Sequence, residues 1–192
     1  MQEIYFATSN LHKFEEATNI LKQFCPNINF IQFPFNHIEI RSDNLDDVAK
    51  EAAQSAYCEI KKPVFVDDTG FFIKYLNGFP GTYSAWVLKK LSNTLILKLM
   101  ENVKNRRASF KTAIAFARPS KEVGVKIEIF TGQCNGSISL VLRGKDGFGY
   151  DSIFVPAMHN KTFAESIILK NKLSHRYKAL REFANYLNRN FQ

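Results

Sequence analysis

In the stretch VFVDDTGFFIKYLNGFPGTYSAW, Val64 to Trp86, three apolar residues run straight into two adjacent carboxylates. Val64, Phe65 and Val66 read as a buried strand. Asp67 and Asp68 then fall at its carboxyl end, where open α/β sheets bind their ligands. Thr69, a hydroxyl, and Gly70 follow at once. Neighbouring like charges repel, so a fold seldom gathers them without a cation or a shared proton. The pair therefore reads as a divalent-metal and general-base site. The plain alternative is a solvated turn at a strand end, for which Asp and Gly are ordinary residues.

The rest of the composition sets the frame for that segment. A chain of 192 residues suits one domain or two small lobes sharing a core, and 45% hydrophobic residues exclude gross disorder. No apolar run approaches the roughly 18 residues needed to span a bilayer, so no membrane partner is expected. The first residues, MQEIYFATSN, have neither a basic n-region nor a long apolar h-region, and no secretory signal is expected. Cys25, Cys58 and Cys134 are odd in number and far apart, which supports neither a zinc site nor a disulfide framework and points to a reducing, cytoplasmic setting. The net charge of +8 favours polyanionic partners such as nucleic acid, nucleotides or phosphorylated metabolites. The basic residues are scattered, apart from pairs such as Lys61-Lys62, Lys89-Lys90 and Arg106-Arg107. A long tail of the kind that coats nucleic acid is missing.

Hydrophobic periodicity predicts a strand over Ile4–Ala7, a helix over Lys13–Phe24, a strand over Asn29–Phe33 and a helix over Leu45–Glu59 capped at Asp43 or Asn44. Val64–Val66 is the third predicted strand, and NGFPG (Asn77 to Gly81) is a turn-rich break. Short helices are expected over Ser84–Lys90 and Asn93–Glu101, strands over Ser109–Ala117, Val125–Cys134 and Gly136–Val141, and a last helix over Ser174–Leu187 with Ser174 as its cap. The expected architecture is an α/β fold with a mixed sheet, a second lobe and a cleft between the lobes.

Further constellations stand out. In Thr8-Ser9-Asn10-Leu11-His12-Lys13 a strand gives way to a helix, and helix amides with short polar side chains bind phosphate. Lys13 adds a point charge one turn in, although a plain capped helix accounts for the same residues. The pattern GxxxxGK[ST] is absent, so this is no Walker loop. Glu39, in the polar stretch HIEIRSDN, can add a carboxylate to a cation held at Asp68, or stand on the surface beside Arg41. Phe148-Gly149-Tyr150-Asp151 places aromatics that can stack a base beside a carboxylate that can accept from one, or else plugs the core at a hairpin end. Lys170, Lys172, Ser174, His175 and Arg176 concentrate donors before the last helix, where positive charge opposes the helix dipole.

Taken in order, TSNLHK, VDDTG, NGFPGTYSA, GFGYD and KNKLSHR resemble the inosine triphosphate pyrophosphatase family over almost the whole chain, Ile4 to about Ala184. The resemblance implies an α/β fold, an elongated mixed central sheet flanked by helices, with two lobes around a nucleotide-binding cleft in one domain over residues 1–192, and a homodimer. It implies Mg²⁺-dependent hydrolysis of ITP, dITP and XTP to the monophosphate and pyrophosphate, with Mn²⁺ also suited to the all-oxygen ligands. Carried over residue by residue, the phosphate motif falls on Thr8, Asn10 and Lys13, with Ser9 between them. The metal ligands fall on Glu39 and Asp68, and the general base on Asp68. Thr69 falls where the family contacts substrate, and the base loop on Phe148, Gly149, Tyr150 and Asp151. Lys170, His175 and Arg176 become the distal lysine and the purine readers. Leu169 and Trp86 depart from the pattern, which commonly has an acidic residue and an Arg at these places. Two other readings stand beside this one: a related pyrophosphatase for modified pyrimidine or methylated nucleotides, and a non-enzymatic basic nucleic-acid-binding module.

Overall fold

The computed structural model describes residues 2–191. In chain order the elements are β1 (Gln2–Ala7), α1 (Leu11–Phe24), β2 (Ile28–Phe33), α2 (Leu45–Ile60), β3 (Val64–Ile73), β4 (Pro80–Gly81), α3 (Ser84–Lys90), α4 (Asn93–Leu99), β5 (Arg107–Ser120), β6 (Gly124–Ile138), β7 (Phe154–Pro156), α5 (Ile167–Leu173) and α6 (His175–Asn190). They build a seven-stranded sheet in the order β2-β1-β3-β5-β6-β7, with β4 on β3. β1 is parallel to both β2 and β3, while β4 and β7 pair antiparallel with β3 and β6. The sheet is therefore mixed, as the sequence implies. None of the helices among the described residues is long and apolar enough to cross a membrane, and the three cysteines are free thiols.

The chain divides into two compact units. The first takes the chain up to Asp68, Thr112–Gly132 and the segment from Arg176 on. Here the sheet is covered on both faces. Ile4, Phe6, Phe65, Ile114 and Phe116 pack against Ala17 and Leu21 of α1 and Leu180 and Phe183 of α6. On the other face Ala7, Val64, Val66, Ala113 and Ala115 meet the alanine stripe of α2, Ala49, Ala52, Ala53 and Ala56. The period-2 alternation of β3 sorts these contacts: Phe65 belongs to one face, Val64 and Val66 to the other. Both long N-terminal helices are capped by asparagine, Asn10 accepting from the Lys13 amide and Asn44 from the Asp46 amide.

The second unit takes Thr69–Lys111 and Gln133–His175. Its core joins Phe71 and Ile73 to Val87, Ile96, Phe110, Tyr150, Phe154 and Phe163. Its rings pack face and edge: Phe71 stacks on Tyr150 at 4.6 Å, and Phe110 meets Phe154 edge-on at 4.9 Å. Arg106, read from the sequence as one of a basic pair, donates its guanidinium to the carbonyls of Met100, Ile138 and Ser139.

Several elements differ from the periodicity reading. β3 does not stop at Val66 but runs through Asp67–Gly70 to Ile73, ten residues in all. The carboxylates thus lie inside a strand, and not at its carboxyl end. Gly70 permits this, because a Cβ there would lie 2.6 Å from the Phe72 ring and 2.9 Å from the Gly81 carbonyl. A separate strand over Gly136–Val141 is absent; β6 continues to Ile138 and the chain then leaves the sheet. β7 and α5 carry no expectation from the sequence. α5 is a single short helix capped by Ser166, which accepts from the Leu169 amide, and Ser174 closes it. Lys170 and Lys172 are accordingly helical residues of α5 and not a flank of the last helix.

Gly136 offers a test of this packing. A Cβ there would collide with the Val155 backbone carbonyl of β7 and lie 2.7 Å from the Phe154 ring. Gly136→Ala is expected to lower unfolding stability by roughly 1–3 kcal/mol, the usual range for overpacking, measured by urea denaturation.

Candidate active site

The candidate side chains form two constellations, one in each unit. In the first unit α1 begins at a polar loop. Thr8 Oγ1 accepts from the Asn10 amide, and Asn10 Oδ1 accepts from the Lys13 amide at 3.1 Å. Ser9 Oγ donates to the Phe35 carbonyl at 3.0 Å, so Ser9 ties the loop to the segment that follows β2. Ser9 and Asn10 are exposed and Thr8 is half-buried. A 14-residue helix that opens from an exposed polar loop is suited to an anion at its N-terminus.

Asp67 is the hub beneath that loop. Its carboxylate is fully buried and accepts a fork from Arg176, Nε to Oδ2 at 2.7 Å and Nη2 to Oδ1 at 3.2 Å. Lys13 Nζ lies 3.2 Å from Oδ1 and donates to the Asp67 backbone carbonyl at 2.7 Å. Arg176 Nη1 also donates to Glu16 Oε2 at 3.2 Å. Burial alone would raise the Asp67 carboxyl, but the charges of Arg176 and Lys13 outweigh it and hold Asp67 well below the usual carboxylate range.

Asp67 and Asp68 are successive residues of a strand, so their side chains leave opposite faces of the sheet. Asp67 shares the Phe65 face with α1 and α6, and alternation gives Asp68, half-buried, the Val64 and Val66 face. The repulsion expected of the pair is thereby avoided without a bridging cation. Glu39 is exposed in the stretch between β2 and α2, four residues beyond Phe35, which packs on that same face. Among the described residues no three His, Cys, Asp or Glu side chains gather as a metal cluster. The donor chemistry of Asp68 and Glu39 nevertheless fits Mg²⁺, which takes one or two carboxylates and fills its remaining positions with water and phosphate oxygens.

In the second unit the GFGYD loop is braced from below. Asp151 Oδ2 accepts from the Phe148 amide at 2.8 Å and from Lys170 Nζ at 2.9 Å, and Lys170 Nζ also sits 4.1 Å from the centre of the Phe148 ring. Asn93 Nδ2 donates to the Gly149 carbonyl at 2.9 Å and to Ser152 Oγ at 3.0 Å. Gly147 and Gly149 hold positive φ values of 75° and 67°, which suit glycine. Tyr150, expected to face substrate, is instead core: its hydroxyl donates to the Ser84 carbonyl at 2.8 Å, and burial pushes the phenol above its ordinary value. His175 is buried with its imidazole stacked 4.5 Å from Phe110. Thr69, half-buried, opens this unit at the residue after Asp68.

The structure thus gathers Lys13, Arg176 and Asp67 in one cluster, and Phe148, Asp151 and Lys170 in another. Arg176 meets carboxylates, where the sequence reading expects it to meet a purine. The sequence reading missed Asp67 as a distinct actor, Glu16 and Asn93. Glu16 lies one turn after Lys13 in α1, a spacing that puts both on one helix face and was the available signal. Asn93 has no local signal, since its partners are more than fifty residues away.

The sequence pattern of the Ham1 family matches residues 4–186. The chain belongs to the Ham1 family. This Ham1 chain is 43% identical over 185 residues to a dITP/XTP pyrophosphatase of Hyperthermus butylicus, covering 96% of this chain and 94% of that one. It is 42% identical over 189 residues to a dITP/XTP pyrophosphatase of Thermococcus kodakarensis, covering 97% and 98%. Among solved structures, a HAM1 protein from Coxiella burnetii superimposes with a TM-score of 0.83 at 30% identity, covering 98% of this chain and 100% of that one.

Asp67 has a measurable signature in acid. A carboxyl with a depressed folded pKa contributes stability above its unfolded value, about 3.9, and loses it as pH falls toward the folded value. Asp67→Asn is expected to lower stability at pH 7 by roughly 3–5 kcal/mol, because two cations keep their places without the anion. It should also flatten the fall in stability below about pH 4. Urea denaturation from pH 7 to pH 3 reads both effects, and an unchanged acid slope in the variant would exclude Asp67 as its source.

Proposed function

We propose that this Ham1 chain hydrolyses non-standard purine nucleoside triphosphates, dITP, XTP and ITP, to the monophosphate and pyrophosphate, as a Mg²⁺-dependent cytoplasmic homodimer within one functional domain. The relatives named dITP/XTP pyrophosphatases, at 43% and 42% identity over nearly the whole chain, support the substrate class. The observation that carries the reading is the engagement of Asp67 by Lys13 and Arg176. Asp67 is committed to Lys13 and Arg176, so the chemical role falls to Asp68 on the other face.

In this reading Asp68 accepts the proton of the water that attacks phosphorus. Mg²⁺, held by Asp68 and Glu39, supplies neutralisation of the charge that develops on the triphosphate. The exposed amides at the start of α1, with Thr8, Ser9 and Asn10, receive phosphate oxygens. An ammonium has three donors, and two Lys13 contacts go to Asp67. The remaining donor points the Lys13 charge at a phosphate. The Phe148 ring on its glycine-flanked turn stacks the base, while Asp151 and Lys170 keep that turn in shape. Thr69 contributes a substrate hydroxyl contact. Selection against ATP rests on the six-position oxygen, to which a donor such as His175 hydrogen-bonds; an amino group there leaves the donor unpaired.

Pyrophosphate release from ITP and from ATP, with and without Mg²⁺, tests the reading. ITP is expected to exceed ATP by at least ~10²-fold in kcat/KM, because a site built on hydrogen bonds rejects a mismatched partner strongly. Equal rates on the two nucleotides would contradict it. Asp68→Asn is expected to lower kcat by about 10²–10⁴-fold, the usual range for a general base, while far-ultraviolet circular dichroism stays that of the parent. Turnover near the parent rate would remove Asp68 from this role.

A further inference from the structure

Asp67 joins three segments that are remote in sequence. Lys13 lies in the first turns of α1, just past the polar loop; Asp67 lies in β3, next to Asp68; and Arg176 lies at the start of α6. All three side chains meet at one carboxylate with no side-chain exposure. Arg176 is 2% exposed, with Nε and Nη2 directed to Asp67 and Nη1 to Glu16. A guanidinium forked onto one carboxylate and bridged to a second is fixed in plane and in rotation. The geometry also fixes the peptide of Asp67, since Lys13 holds its carbonyl as well as its side chain. A strand residue whose side chain and carbonyl are both clamped leaves its neighbour little freedom, and that neighbour is Asp68.

We propose that Asp67 is a positioning residue: it clamps β3 to α1 and α6 on the face opposite Asp68, and Arg176 acts through it and does not read the base. The proposal deepens the pyrophosphatase reading above and rests on it. The two roles open to Arg176 differ in what they discriminate. A base reader changes the ratio of ITP to ATP. A clamp changes the rate on every triphosphate alike, because it alters the aim of the attacking group and not the recognition of the purine.

The test measures kcat and KM for ITP and ATP, with Mg²⁺, in the parent protein, Asp67→Asn, Arg176→Lys and the double variant Asp67→Leu with Arg176→Met. Asp67→Asn and Arg176→Lys are each expected to lower kcat about 10²-fold, the scale of an ångström-sized misplacement. KM should change little, and the ITP:ATP ratio of kcat/KM should stay within about threefold. The double variant replaces a buried ion pair by apolar groups, an exchange that often preserves stability. Because Lys13 and Glu16 also lose a partner, it is expected to melt below the parent, yet to keep the low kcat at temperatures where circular dichroism shows it fully native, which separates aiming from mere folding. A collapse of the ITP:ATP ratio in Arg176→Lys alone would make Arg176 a reader and overturn the proposal. Recovery of the parent kcat in the double variant would overturn it too. If the parent protein releases no pyrophosphate from ITP, the pyrophosphatase reading falls, and this proposal with it. Parent-level turnover in Asp67→Asn defeats only the proposal.

Discussion

The buried ion cluster of Asp67, Arg176 and Lys13 is the constraint on which the first unit turns. A lone carboxylate with no exposure would cost several kcal/mol in lost hydration and would take up a proton. Here a bidentate arginine and a lysine outweigh that penalty, so the anion persists. Each partner arrives on a different element, and the cluster is therefore also a registration device. α1 cannot slide along the sheet, nor α6 rotate, without breaking a charged hydrogen bond in a water-poor interior. The apolar contacts around Phe6, Phe65, Leu21 and Phe183 supply the bulk of the burial, but they tolerate small shifts that the cluster does not.

A second constraint is the pleat. Because β3 stays a strand through Asp67 and Asp68, two carboxylates adjacent in the chain become remote in environment, one sealed among cations and one directed toward the α2 side. The enzyme reading assigns one group a permanently ionised, structural role and the other the acceptance of a proton. The second unit repeats the strategy with Asp151, which is held by Lys170 and by the Phe148 amide and braces the loop that displays Phe148.

Much of the fold is legible in the sequence where periodicity is long and caps are clear. α1, α2, α3 and the first two strands fall within a few residues of their expected ends, because Asn10, Asn44 and the apolar spacing act locally. The expectation for β3 fails at Val66 because acidic residues and a glycine signal a turn, whereas neutralisation by Arg176, 109 residues away, lets the strand continue. α5 and β7 are too short to show a period, and their formation depends on Ser166 and on pairing with Gly136. The site is legible as a set of residues and only partly as a set of roles. Tyr150 looks like a base stacker and is core, and Arg176 looks like a reader and grips carboxylates. In both cases the deciding partner, Ser84 or Asp67, is invisible to local pattern.

The central claim is that Asp67 organises and Asp68 reacts. A crystal structure with Mg²⁺ and a non-hydrolysable inosine triphosphate analogue tests it most directly. The account predicts an Asp68 oxygen at the ordinary Mg²⁺–carboxylate distance, about 2.0–2.1 Å, with Asp67 still gripped by Arg176 and Lys13. Asp67 on the cation, or Asp68 turned away from the triphosphate, would contradict it.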